Sequence, residues 1–272
     1  MSNERIAILG GGNLGSAIAR GLVKAGVREP QAITITRRSE GSLETFREEG
    51  FVTTTDNALA AGDASTILIA VRPKQVNAVL DAIAPIVQSD RHIVISTATD
   101  VRIADIRQHL GNRIPVLRAM PNIGVAVGQS MTCLSCDEDT PERARATASS
   151  LFSALGQTQF IDEDQMTPAT ALCACGIAFF LRAIRAASQG GVQVGFHADE
   201  AIRLAAQTAK GAAELVLAKG AHPESLIDTV TTPLGVTITG LNEMEHQGFS
   251  SALIRGIVES AEKARHLYEQ NH

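Results

Sequence analysis

Short apolar, β-branched runs alternate with helical spacing along about the first 160 residues of the chain. These runs predict strands at residues 5–9, 32–36, 51–54, 66–71, 92–97, 115–119, 129–133 and 157–161. Between them, apolar residues recurring three and four apart predict helices such as 16–25, 75–88 and 141–155. Strands alternating with helices imply an α/β fold whose mostly parallel sheet is covered on both faces, a Rossmann-type domain. Near residue 162 the strand runs stop, and helical spacing carries through 167–193, 198–219 and 250–268. Asp199 with Arg203, and Lys210 with Glu214, set opposite charges one helical turn apart on an exposed face. Two domains are therefore expected, 1–162 and an all-α 163–272. The alanine-rich helices of the second leave one face weakly charged, and that face is expected to pack against another copy of the chain. His197 and His222 stand just before helices and are expected to act as caps rather than catalysts.

Composition narrows this picture. At 272 residues and 44% hydrophobic, the chain can bury a core without disulfides and is not a disordered polymer. A net charge of −5 and 3% aromatic residues argue against a nucleic-acid surface. No uncharged apolar run of about 18 residues predicts a membrane span. The early run Ile6–Leu9 leads into glycines, which reads as strand and turn rather than a secretory signal. Cys133 and Cys136 lie in a strand-like run, where positions three apart face opposite sides, and Cys173 and Cys175 lie in an alanine-rich helical run. A zinc site would need two clusters at ligand spacing, set on turns, so buried thiols in a reducing cytosol are expected, with no metal.

The chemistry begins at Gly10-Gly11-Gly12-Asn13-Leu14-Gly15, a G-x-G-x-x-G that follows the first strand and opens the first helix. Gly10 permits the tight turn, Gly12 the approach of a pyrophosphate, and Gly15 close packing of helix on strand. Free N–H groups at the helix start face the phosphates. After the second strand an NAD site places an acid for the ribose 2′-hydroxyl. Here Thr36 is followed by Arg37, Arg38 and Ser39, with no acid before Glu40. That favours a 2′-phosphate, hence NADPH, with NADH as the alternative.

Three more segments carry a resemblance: Ala70-Val71-Arg72-Pro73-Lys74-Gln75, Arg118-Ala119-Met120-Pro121-Asn122, and Thr231-Thr232-Pro233-Leu234-Gly235-Val236-Thr237 with its continuation to Leu241. With the glycine turn, and with residues 204–223 over a long helix and its following turn, the chain resembles the pyrroline-5-carboxylate reductase family over nearly its whole length. The resemblance implies an NAD(P)H-binding Rossmann domain and a helical domain that interlocks in a homodimer, with dimers building larger rings. It implies reduction of the C=N bond of 1-pyrroline-5-carboxylate to L-proline, a cytoplasmic step of proline biosynthesis. Residue by residue, Gly10, Gly12, Asn13, Leu14 and Gly15 match the pyrophosphate turn, and Arg37, Arg38 and Ser39 the 2′-phosphate position. Asn57 matches a residue near the adenosine ribose, and Ala70, Val71, Arg72 and Pro73 a loop beside the cofactor. Ala98, Met120 and Asn122 match the nicotinamide and substrate surroundings. Thr232, Gly235, Val236 and Thr237 match the substrate loop, with Thr237 placed to hydrogen-bond the ring nitrogen. A helix N-cap is the competing role for that threonine.

The sequence departs from the family pattern around the expected substrate pocket. A loop glycine of S-P-G-G-T-T is Leu234, and leucine restricts backbone angles that glycine allows. S-G-S-G-P-A-Y becomes residues 173–179, so serine gives way to Cys173 and the helix-kinking proline to Ile177; a straighter helix is expected. A common A-G after the fifth strand is Thr99-Asp100. Two other readings follow: a diverged homologue that reduces another cyclic imine, and a non-catalytic NADP-binding scaffold. A related hydroxyacid dehydrogenase would carry a catalytic lysine on the first long C-terminal helix, but no lysine lies between Lys74 and Lys210.

Overall fold

The computed structural model describes residues 4–265. Its strands are β1 (Ile6–Leu9), β2 (Ile33–Thr36), β3 (Val52–Thr54), β4 (Thr66–Ile69), β5 (Ile93–Ser96), β6 (Val116–Met120), β7 (Ser130–Cys136) and β8 (Gly156–Phe160). They form one sheet in the order β3-β2-β1-β4-β5-β6-β7-β8. All neighbours pair parallel except β6 and β7. The mostly parallel sheet is thus as the alternating pattern implies. β1, β2, β4 and β5 are buried at every position, which is why they read, but for Ser96, as apolar or β-branched runs.

The helices in this part are α1 (Asn13–Lys24), α2 (Glu44–Glu48), α3 (Asn57–Asp63), α4 (Val76–Ile83), α5 (Ile103–Leu110) and α6 (Glu142–Ser153). Two core layers flank the sheet, and β1 feeds both. Ile6 and Ile8 join the layer that holds Ile18 of α1 and Phe152 of α6. Ala7 and Leu9 join the layer of Leu80 and Ile106 from α4 and α5. Successive side chains of a strand point to opposite faces, so a four-residue strand anchors both layers.

The remaining helices are α7 (Met166–Ala169), α8 (Gly176–Gln193), α9 (Ala198–Lys219), α10 (Pro223–Asp228), α11 (Val236–His246) and α12 (Phe249–Ala264). The part of the expected 250–268 helix beyond 265 lies outside the described residues. A π-helical stretch, Thr170–Cys175, joins α7 to α8. The straighter helix expected around Ile177 is therefore corrected: the α-helical hydrogen-bond ladder is interrupted just before that residue without a proline. His197 and His222 occupy the N-caps of α9 and α10, and His222 Nδ1 accepts from the Glu224 N–H at 3.3 Å.

The chain packs as two compact units. The first runs to Cys175 and takes back the chain from Ser260; the second is Gly176–Glu259. Within the second, large apolar side chains stand open, among them Leu181, Val194, Leu204 and Leu217. Within the helical stretch Glu163–Gln193 an 18-residue window reaches a mean hydropathy of 1.6, enough to cross a membrane by length and composition. The expectation concerned an uncharged run, and Arg182 and Arg185 interrupt this one.

Candidate cofactor-binding site

The site is built where β1, β2 and β4 end and the sheet order reverses direction, the crevice in which open α/β sheets take ligands. Gly10 turns the chain out of β1 at φ 111, and a Cβ there would stand 2.5 Å from the Ala70 carbonyl oxygen, so no side chain fits. The Gly10 N–H donates to Thr36 Oγ1 at 3.2 Å, and the Gly11 N–H to the Thr36 carbonyl at 2.8 Å. Thr36 in turn donates from Oγ1 to Asn57 Oδ1 at 2.7 Å. The glycine turn, the end of β2 and the start of α3 are thereby fixed to one another. A Cβ on Gly15 would meet the Gly10 carbonyl oxygen at 2.2 Å, which is the close helix-on-strand packing that its place in the motif requires.

Gly12 is the N-cap of α1 and supplies no side-chain cap. The first helical bond runs from the Ser16 N–H to the Gly12 carbonyl at 2.9 Å, so the preceding N–H groups lack helical acceptors. An added Cβ on Gly12 would meet nothing within 4 Å. The backbone is bare at the end of the helix where the dipole attracts anions.

In front of this turn lies a cleft of about 540 Å³. Gly10, Gly12, Arg37, Arg38, Asn57, Ala70, Val71 and Arg72 line it, all residues expected from the sequence. Gly11, Thr36, Thr55, Lys74 and Gln75 line it as well. Of these, Thr36 is legible in the sequence only as the last residue of its strand, and Lys74 equally as a cofactor neighbour or a solvated loop charge. Four cations and no acid are found among the lining residues. The nearest acid after β2, Glu40, forms an ion pair with Arg47. The arrangement fits a dinucleotide with a 2′-phosphate: bare N–H groups for the pyrophosphate and paired guanidinium groups beyond them.

Other expected residues stand outside that lining. Asn13 and Leu14 open α1, with Leu14 packed against the core, and Ser39 is exposed beyond β2. Pro73 begins a short helical turn, and Ala98 is buried just after β5. Met120 ends β6 and is buried. The Asn122 side chain is engaged at both ends: Oδ1 accepts from the Gly124 N–H at 2.9 Å, and Nδ2 donates to the Cys173 carbonyl at 3.1 Å.

The expected substrate loop belongs to the second unit. The Gly235 N–H donates to the Thr232 carbonyl at 2.9 Å, and Leu234 between them takes φ 59 with its side chain in solvent. Gly235, not Thr237, is the N-cap of α11, and it offers no side-chain cap. The capping role weighed for Thr237 is thus corrected. Its side chain is exposed at the second position of the helix, beside the first-turn N–H groups.

Comparison with known proteins adds two family models in succession. One described as NADP oxidoreductase coenzyme F420-dependent matches residues 5–100, and one described as pyrroline-5-carboxylate reductase dimerisation matches residues 163–267. Pyrroline-5-carboxylate reductase 1 of Dictyostelium discoideum is 48% identical over 97% of this chain and 50% of its own, so the chain spans half the length of that relative. Pyrroline-5-carboxylate reductase 2 of the same organism is 45% identical over 97% of this chain and 93% of its own. In fold, the chain is similar to the crystal structure of Plasmodium falciparum pyrroline carboxylate reductase with NADP bound: TM-score 0.89 at 24% identity, covering 98% of this chain and 99% of that one.

Proposed function

The chain belongs to the pyrroline-5-carboxylate reductase family, and from that premise we propose that it reduces the C=N bond of 1-pyrroline-5-carboxylate to L-proline at the expense of NADPH. The observation that carries this reading is the cationic, acid-free cleft in front of the bare α1 N-terminus, in a chain 45% identical to a named reductase along nearly its full length. NADPH, when bound, supplies the hydride. The α1 N-terminus, with Gly10 and Gly12, holds the pyrophosphate, and Arg37 and Arg38 pair with the 2′-phosphate while Ser39 adds a hydroxyl. Asn57 serves the adenosine ribose, and Ala70, Val71, Arg72 and Pro73 border the cofactor. Ala98, Met120 and Asn122 shape the nicotinamide and substrate surroundings.

A protonated imine accepts hydride readily, so no strong acid is needed if the substrate binds as its iminium. The protein's task is to fix the ring and its carboxylate. The N–H groups of Val236 and Thr237 at the start of α11 hold the carboxylate, with the Thr232 hydroxyl beside them; the expected share of Gly235 is corrected, because its N–H is engaged by the Thr232 carbonyl. The Thr237 hydroxyl oxygen accepts from the protonated ring nitrogen. Thr237→Ala is expected to lower turnover of the imine by about ten-fold or more, since a hydrogen bond to a charged group is worth about 1.5–3 kcal/mol. NADPH affinity should stay unchanged. Steady-state kinetics with a cofactor titration checks both, and unaltered turnover removes Thr237 from the site.

Residues 163–272 serve dimerisation and substrate binding in this reading, and 1–162 the dinucleotide. The open apolar side chains of the helical unit, together with the dimerisation match, support a homodimer, and rings of dimers extend it. In the dimer the apolar face of Glu163–Gln193 is covered by protein rather than lipid. A monomeric mass at micromolar concentration contradicts this. Four free thiols accord with the cytoplasm. The exposed Leu234 at a left-handed backbone angle favours a second reading, preference for another cyclic imine.

A further inference from the structure

Taken one at a time along the chain, the two cysteine pairs carry no chemistry, but the fold sets one member of each side by side. Cys133, opposite Met120 in the β6–β7 ladder, brings its sulfur to 4.0 Å from that of Cys173 in the π-helical stretch. Both belong to the first compact unit. Buried Met120, Met166 and Ala169 surround them, so the sulfur atoms meet in an apolar pocket. Cys133 is only 5% exposed, whereas Cys173 is half-buried. The thiols are unequal. A hydrogen bond from Cys133 holds the Cys173 thiol down to about 7, against its burial. The same bond, with burial, pushes Cys133 well up. Of the two, Cys173 is the thiol that ionises first, with Cys133 as its protonated partner.

We propose that Cys133 and Cys173 form a reversible redox pair, which a peroxide converts to a disulfide that ties the π-helical stretch to β7 and slows turnover. The Cys173 thiolate attacks one peroxide oxygen; the O–O bond breaks, a sulfenic acid forms on Cys173, and the leaving hydroxide takes a proton to become water. Cys133 then loses its proton as its sulfur displaces the sulfenic oxygen. The S–O bond breaks, the S–S bond forms, and a second water leaves. Two thiols are oxidised by two electrons, and one hydrogen peroxide is reduced to two waters. A small thiol reverses the bond by exchange.

Bond formation draws the sulfurs from 4.0 Å to about 2.05 Å. A backbone shift at Cys173 does not stay local, because its carbonyl accepts from Asn122 Nδ2, and Asn122 closes the turn that follows Met120. The displacement is thereby passed to the Met120-Pro121-Asn122 turn. The family pattern has serine at position 173, so this chemistry belongs to this chain's own departure. Disulfide formation stands on the sulfur geometry; the loss of turnover rests on the reductase reading.

The test treats the reduced full chain with hydrogen peroxide, caps remaining thiols and maps the peptides by mass, with turnover of 1-pyrroline-5-carboxylate followed in parallel. A linked Cys133–Cys173 peptide is expected. Turnover should fall by about ten-fold or more, as ångström-scale displacement of a site allows, and should return with dithiothreitol. Cys133→Ser and Cys173→Ser should keep the reduced chain's turnover and lose the response to peroxide. Absence of the linked peptide, or overoxidised Cys173 with Cys133 still capped as a thiol, overturns the pair. A linked peptide with unchanged turnover overturns the switch. A reduced chain without turnover on any cyclic imine refutes the reductase reading, and the switch with it, while the peptide map still decides the pair.

Discussion

At φ 59, Leu234 holds a backbone conformation that costs an L-residue about 1–2 kcal/mol and costs glycine almost nothing. Its side chain is fully exposed, so packing within the described chain does not repay that strain. Leu234→Gly is expected to raise stability by about 1 kcal/mol in denaturant titration; an unchanged or lowered midpoint contradicts strain at this position. Asp100 is the other non-glycine at positive φ, 63, where a short polar side chain is better tolerated. Both replace a glycine of the family pattern, so both strains could be suspected from sequence alone. Cofactor choice is also a residue-scale matter. Replacing Arg37 and Arg38 together by alanine is expected to raise KM for NADPH by about ten- to a hundred-fold, the worth of about 1.5–3 kcal/mol in charge-assisted hydrogen bonds. KM for NADH should barely move. Equal losses with both cofactors would place the arginines elsewhere than at the 2′-phosphate.

Elements were legible where a single period governs them. All eight expected strands occur; β1, β2, β4 and β5 are the plainest, being buried on both faces and apolar or β-branched at every position but Ser96. The glycine turn was legible because its requirements are local: a strand end, a positive φ at Gly10 and a helix start. The π-helical stretch Thr170–Cys175 was not, since hydrogen-bond register leaves no mark on apolar spacing. The approach of Cys133 to Cys173 was hidden for another reason. It joins positions 40 apart through the antiparallel return of β7, a tertiary event that no motif spacing records. The connection from α4 to β5 carries a pH dependence. His92 is fully buried, and its Nδ1 accepts from the Gln88 N–H at 2.8 Å. Burial first, then the neighbouring Arg91, lowers its pKa from the ordinary 6.5. The unfolded chain therefore protonates first as the solution is acidified. The stability from neutral His92 is present above 6.5 and is lost as pH falls from there toward the depressed folded value. Denaturation midpoints are expected to decline below about pH 6.5, and His92→Gln should flatten that part of the profile. An identical slope in the variant would assign the decline to other groups.

At the scale of the whole molecule, the change of pattern near residue 162 falls just after β8, while the compact units divide at Cys175 and Ser260. The helical segment has few buried apolar side chains of its own and many exposed ones, which is the surface an obligate partner copy would cover. The proposed function places cofactor chemistry in the sheet's crevice, and assembly with substrate recognition on the helices. The most direct test is to mix the purified chain with NADPH and 1-pyrroline-5-carboxylate, and to follow NADPH consumption and proline formation together, beside five- and six-membered cyclic imino acids as controls. Proline should appear in step with the NADPH consumed, and 1-pyrroline-5-carboxylate should be the preferred substrate. NADPH binding without proline formation, or with turnover of none of these imines, would contradict the assignment.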